Sequence, residues 1–148
     1  MIKFEYPEDQ LYFENLLLYN GFSNIMDFAN MFDFRLPATK RKEFNKIRND
    51  RLKQLISIHG LTCMLNLYCC DLNSGTAVDH LIPISTNKLN KELRQLKAEQ
   101  GRKVITQSLG SNHIDNLVIS CNNCNNYKKH RILERNKLIH ILKEKKNK

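Results

Sequence analysis

Cys121 and Cys124 stand three residues apart, a spacing that lets two thiolates grip one Zn²⁺. The remaining cysteines, Cys63, Cys69 and Cys70, lie far upstream. A four-sulfur site needs two of them, so it would tie two segments remote in sequence to one point. His59-Gly60-Leu61-Thr62-Cys63 and Leu67-Tyr68-Cys69 can supply the two sulfurs as one wide knuckle. The total of five cysteines is odd, which argues against a fully paired disulfide framework and for reduced thiols or metal ligands. A redox pair is the alternative for the C-x-x-C, but it wants a thioredoxin-like βαβ setting that the pattern lacks. Two buried unpaired thiols are the plainer alternative.

The 148 residues suit one domain, or one domain with an appended segment, and suffice to bury a core without disulfides. No apolar run reaches membrane-spanning length, and no charged-then-apolar leader opens the chain. The expectation is a cytoplasmic protein with no membrane role. The formal charge is +9, which points to a polyanionic partner, nucleic acid first. That charge is uneven. Residues 1–33 carry one Lys against six acids, whereas residues 121–148 carry nine Lys or Arg against two Glu. An acidic, aromatic-rich head therefore precedes a basic body, and attraction to phosphate should reside on the body.

In the head, Leu11, Phe13, Leu16, Leu17 and Leu18 predict a helix after Pro7, stopped at Asn20-Gly21. Ile25, Phe28, Ala29 and Phe32 recur at helical spacing and predict a second. Thr39 to Ile58 predicts a basic helix with Phe44, Ile47, Leu52, Leu55 and Ile56 as its apolar stripe, ended by Gly60. Its basic face suits phosphate contacts or plain solvation. Asn73-Ser74-Gly75 reads as a turn joining Leu67–Cys70 to Thr76–Val78 in a short hairpin. Asn87 to Gln100 reads as a polar helix and Val104 to Gln107 as a strand. Leu117–Ser120 is a short apolar segment, and Lys128 to Lys145 reads as a final helix.

Asp79-His80 sets a hard oxygen donor beside an imidazole. On a strand their side chains point to opposite sides, so one can hold a metal while the other faces a substrate. Asp suits Mg²⁺. His can take a proton from water near neutral pH. Asn125, just after the second knuckle cysteine, offers a neutral amide oxygen as a further ligand.

Val78-Asp79-His80-Leu81-Ile82-Pro83-Ile84-Ser85, followed by Asn116-Leu117-Val118-Ile119-Ser120-Cys121-Asn122-Asn123-Cys124-Asn125-Asn126-Tyr127-Lys128, resembles the HNH endonuclease family over residues 60–131. The resemblance implies an α+β fold. Its centre would be a ββα-metal core with a zinc-binding knuckle, carrying mainly helical N- and C-terminal additions. Residues 1–58 would form a helical dimerisation or target-selection region, and residues 59–148 the nuclease domain. It implies that His80 is the general base and that Asp79 and Asn125 bind a catalytic Mg²⁺ or Mn²⁺. Asn116 would be the central Asn that orients the base loop. Lys128 would contact a phosphate, with Lys129 and Arg131 beside it. The family's first knuckle is altered here: Asn66 stands for its first Cys and Cys70 for its Gly. Cys63, Cys69, Cys121 and Cys124 are accordingly favoured as ligands of a structural Zn²⁺, with Cys70 spare. The interval from His80 to Asn116 is long for the family, and Arg102 and Lys103 within it are candidate DNA contacts.

The activity so implied is hydrolysis of DNA phosphodiesters to 5′-phosphate and 3′-hydroxyl ends. A small restriction or mobile-element nuclease, possibly homodimeric, fits the size. The rival is a zinc-containing nucleic-acid-binding module without cleavage, for which Asp79, His80, Asn116 and Asn125 together would have no use.

Overall fold

The structure, a computed structural model, describes residues 3–18, 25–70 and 77–147. It is an α+β arrangement of helices around two small sheets.

Helix α1, Pro7–Leu18, starts on a proline whose fixed φ suits a first turn. Glu8 and Asp9 in that turn complement the helix dipole. It buries Phe13, Leu16 and Leu17. The Phe13 ring lies 5.9 Å from Phe4 and 4.9 Å from Phe32. The expected stop at Asn20-Gly21 lies outside the described residues. Ile25–Met31 forms a 3₁₀ helix rather than the expected α-helix. The chain is drawn into extended pairing directly after it. Phe32 bridges Gly110, and Asp33 N donates to Leu109 O at 2.8 Å. Few residues remain to build an i→i+4 ladder.

Helix α2, Pro37–His59, again has proline at its start. It ends where Gly60 turns to φ 77° and its N–H caps Ile56 O at 2.8 Å. Only Lys40, Phe44 and Leu55 of its 23 residues are fully buried. Strands β1, Ala77–His80, and β4, Leu117–Ser120, pair antiparallel, with Asp79 opposite Val118 and His80 opposite Leu117. β4 is buried along its whole length, because its alternating side chains serve two cores. Leu117 and Ile119 pack with Phe44 and Leu55 of α2. Val118 faces the larger core of Phe13, Leu65, Leu81, Leu138 and Ile141. This pairing corrects the expected hairpin: Leu67–Cys70 is a turn, closed by Cys70 N to Leu67 O at 2.8 Å. Residues 73–75 lie outside the described residues.

The second sheet pairs β2, Ser85–Thr86, with β3, Gln107–Ser108. Beyond it, Gly110 N donates to Pro83 O at 2.8 Å. A Cβ on Gly110 would lie 1.7 Å from the backbone oxygen of Ile82. Gly110→Ala must therefore push two backbone segments apart. It is expected to destabilise the fold by about 3 kcal/mol or more, measurable as a lowered urea midpoint with an unchanged slope.

The expected helix from Asn87 to Gln100 shrinks to α3, Lys88–Glu92. Past it Gln95 adopts φ 52°. The Arg94 guanidinium is held by buried Asp9 at 2.8 Å and by Gln107 at 2.6 Å. These long-range bonds outweigh a polar segment's weak helical preference. The expected strand at Val104–Gln107 is displaced to β3. The final helix, expected from Lys128, begins only at Arg135 as α5, Arg135–Lys146, and a separate helix that the sequence reading missed, α4, Asn122–Lys128, precedes it. The break between the two lies at Lys129, φ 47°. It lets Ile132 and Leu133 in the connection enter the same core as Leu138, Ile139, Ile141 and Leu142 of α5.

Candidate active site and metal centre

Two separate constellations flank the β1–β4 pair. The first is sulfur. Cys63, Cys70, Cys121 and Cys124 bring their Sγ atoms within 4.8 Å of one another. A tetrahedral site with Zn–S of about 2.3 Å has edges of about 3.8 Å, and Cys121 Sγ lies 3.9 Å from Cys70 Sγ. The four sulfurs can hold a metal ion such as Zn²⁺. The fourth sulfur of the cluster is therefore that of Cys70, not of the favoured Cys69. The 67–70 turn aims adjacent side chains apart, and Cys69 Sγ instead meets Asn123 O at 3.6 Å. Backbone amides support the cluster. Cys124 N donates to Cys121 Sγ, and Leu67 N to Cys124 Sγ, both at 3.4 Å. Cys121 thereby caps α4. Burial, reinforced by the neighbouring thiols, pushes the Cys70 thiol up to about 11 and raises Cys124 as well. A bound dication reverses that preference, since a coordinating thiol is deprotonated outright.

The second constellation is a cleft of about 320 Å³ lined by Arg41, Asp79, His80, Asn125, Lys129 and His130, among others. It gathers three of the four residues expected to carry the catalysis, together with Lys129. Asp79 and His80 come from the end of β1, and Asn125 from the middle of α4. Burial holds Asp79 above the usual carboxylate range, opposed by the Lys128 ammonium. Asp79 Oδ2 lies 3.1 Å from Lys128 Nζ, yet no aligned hydrogen bond reaches it.

His80 packs edge-on against Phe44, centroids 4.5 Å apart, and its Nε2 lies 2.9 Å from Asn112 Oδ1. Asn112 Nδ2 donates to Lys40 O at 2.8 Å, so its oxygen is the end that faces the imidazole. Nε2 must then carry the proton, and Nδ1 keeps the lone pair. Burial pushes His80 down to about 4, so the ring is neutral at pH 7. Asn112 escaped the sequence reading. Nothing local marks an Asn in Ser111-Asn112-His113 as the partner of a residue on another strand.

Asn116 is fully buried. Its Nδ2 donates to Ile82 O and Ser111 O, both at 2.9 Å, and its Oδ1 accepts from Ile82 N at 2.8 Å. Its own backbone oxygen accepts from Leu81 N at 2.8 Å. Asn116 thus clamps the segment that leaves His80.

The basic candidates divide. Lys128 is 1% exposed, with Nζ donating to His80 O at 2.6 Å. It is a buried strut, which corrects the expectation of a phosphate contact. In the last turn of α4, Asn126 and Tyr127 are exposed and Lys128 is the residue turned in toward the end of β1. Lys129 is exposed and lines the cleft. Arg131 is exposed but lies over the Tyr127 ring, 5.2 Å from its centroid, at a different cavity. Arg102 and Lys103 are exposed and do not line the cleft. Among the described residues no helix is long and apolar enough to cross a membrane.

Comparison of the chain with protein-family models, with curated proteins and with solved structures finds no match.

Proposed function

We propose that this protein is a metal-dependent DNA endonuclease of HNH type that hydrolyses phosphodiesters to 5′-phosphate and 3′-hydroxyl ends. The observation that carries the reading is one cleft shared by Asp79, His80 and Asn125, with the imidazole held in a single tautomer by Asn112. The sequence resemblance names the same residues.

Each side chain has a definite task in this reading. His80 is neutral at pH 7 and accepts the proton of a water at Nδ1, so that the water can attack phosphorus in line. Asn112 holds Nε2–H and prevents the ring from flipping its lone pair away. Asn116 fixes the backbone behind the base. Asp79 and Asn125 supply one anionic and one neutral oxygen donor. That set suits a hard cation such as Mg²⁺ or Mn²⁺. A cation there would supply positive charge against the phosphoryl oxygens and the departing 3′ oxygen. A structural Zn²⁺ at the four cysteines would brace β4 and α4 from the other side.

The test is nicking of supercoiled plasmid by zinc-loaded protein, with and without added Mg²⁺. Cutting is expected to require Mg²⁺ and to fall by about 10²–10⁴-fold in His80→Ala. Folded, zinc-loaded protein that binds DNA but never cuts would favour a binding module. Cutting that survives in His80→Ala would overturn the assignment of the base.

A further inference from the structure

The resemblance to a nuclease begins at residue 60, after α2 has ended, yet α2 contributes a residue to the cleft. Arg41 lines it beside Asp79 and His80. One heptad on, the Arg48 guanidinium lies over the Phe44 ring, 5.2 Å from its centroid. Phe44 is the residue packed edge-on against His80. Arg48 is also braced by Asn45 Oδ1 at 2.9 Å. Both arginines are exposed, and neither has a carboxylate partner among the described residues. Arg35, by contrast, is neutralised by Asp33 at 2.8 Å and Glu43 at 2.7 Å.

Seven residues of α-helix bring two side chains back to within about 20° of one face and about 10 Å apart along the axis. That rise equals about three phosphate steps along one DNA strand. Lys129 lines the same cleft from the α4 side.

We infer that α2 is a phosphate-binding rail, on which Arg41 and Arg48 hold the backbone of one DNA strand beside the His80 cleft. The inference rests on the nuclease reading for the choice of DNA as the polyanion. It assigns part of the substrate grip to residues 1–58, a region the resemblance does not cover. Guanidinium groups suit the task, being always charged and able to fork onto phosphate oxygens. Contacts of this kind position the duplex without reading its sequence.

The test is the salt dependence of binding. A fluorescent duplex is titrated with zinc-loaded protein over a series of NaCl concentrations, without added Mg²⁺, to prevent cutting. Arg41→Ala/Arg48→Ala is compared with Lys42→Ala/Lys53→Ala. Both doubles remove two positive charges from exposed positions on α2. The lysines lie about 100–120° round the helix from the Arg41–Arg48 line. The arginine double is expected to reduce the slope of log K against log [salt] by about 2, at about 0.9 per phosphate. The lysine double should change it by less than about 0.5. Matching thermal midpoints for the two doubles show that neither has lost its fold. Equal loss of slope in both would overturn the rail, leaving α2 as diffuse charge. Unchanged slopes with intact wild-type binding would also overturn it and leave the nuclease reading standing. A wild-type protein that binds no duplex at low salt removes the DNA reading, and the rail with it.

Discussion

Cys70→Ser is expected to abolish zinc binding at the four-cysteine cluster and to cost much of the stability, whereas Cys69→Ser leaves both nearly intact. The two residues are neighbours in the chain but not in environment. Cys70 Sγ belongs to the group within 4.8 Å, whereas Cys69 Sγ meets a backbone oxygen outside it. Cys63, Cys121 and Cys124 are buried in the same core as Leu65, Leu81 and Val118. A missing fourth sulfur therefore opens the metal site inside the core. Structural zinc contributes about 10–16 kcal/mol in small metallo-peptides. Removing one ligand of four is expected to cost about 5 kcal/mol, or about 10–20 °C in Tm for a chain this size. Zinc per chain, by thiol modification with a colorimetric chelator, and thermal unfolding check it. Zinc loss in Cys69→Ser with retention in Cys70→Ser would reverse the ligand assignment. Full stability in zinc-free wild-type protein would reduce the cluster to packed thiols.

Lys128→Met is expected to destabilise the protein by about 3–5 kcal/mol, because it leaves the Asp79 carboxylate buried without its counter-charge. Asp79 is 8% exposed and Lys128 1%. The ammonium serves His80 O at 2.6 Å and Asp79 at 3.1 Å together. Adding Asp79→Asn to Lys128→Met removes the orphaned charge and should recover part of the loss. The readouts are urea midpoints for the two singles and the double. A surface lysine gripping phosphate would behave in the opposite way. It would leave the midpoint unchanged and flatten the salt dependence of DNA binding. That result would restore Lys128 to the phosphate role and remove it as a strut.

Much of the site can be read from local pattern. Helix α1 follows from a proline start and apolar spacing, and α2 from apolar spacing and a glycine stop. The Cys121–Cys124 knuckle follows from the spacing that one tetrahedral ion demands. Asp79, His80, Asn116 and Asn125 stand out because their residue types match a metal-and-base chemistry, and Asp79, His80 and Asn125 share one cleft. The helices and the knuckle depend on residues within a turn or two of each other, and the remote site residues are legible only through the residue types of two short motifs.

Other choices needed the folded chain. Between Cys69 and Cys70 the composition is identical and only the direction of a turn decides. Lys128 looks like any surface lysine until α4 lies against β1 and its Nζ is turned toward His80 O. The strand at Ala77–His80 could pair with a near neighbour, but Leu117–Ser120 offers apolar side chains on both faces and fills two cores at once. The expected helix over 87–100 stops short where Arg94 reaches Asp9, and that over 128–145 starts late because Ile132 and Leu133 turn inward. Asn112 and Arg41 enter the site from other elements entirely. Sequence by itself determined the local conformations and the chemical inventory, which short-range sterics and spacing control. Tertiary structure alone decided which groups meet. Burial, long-range hydrogen bonds and core packing act between residues that the chain holds far apart.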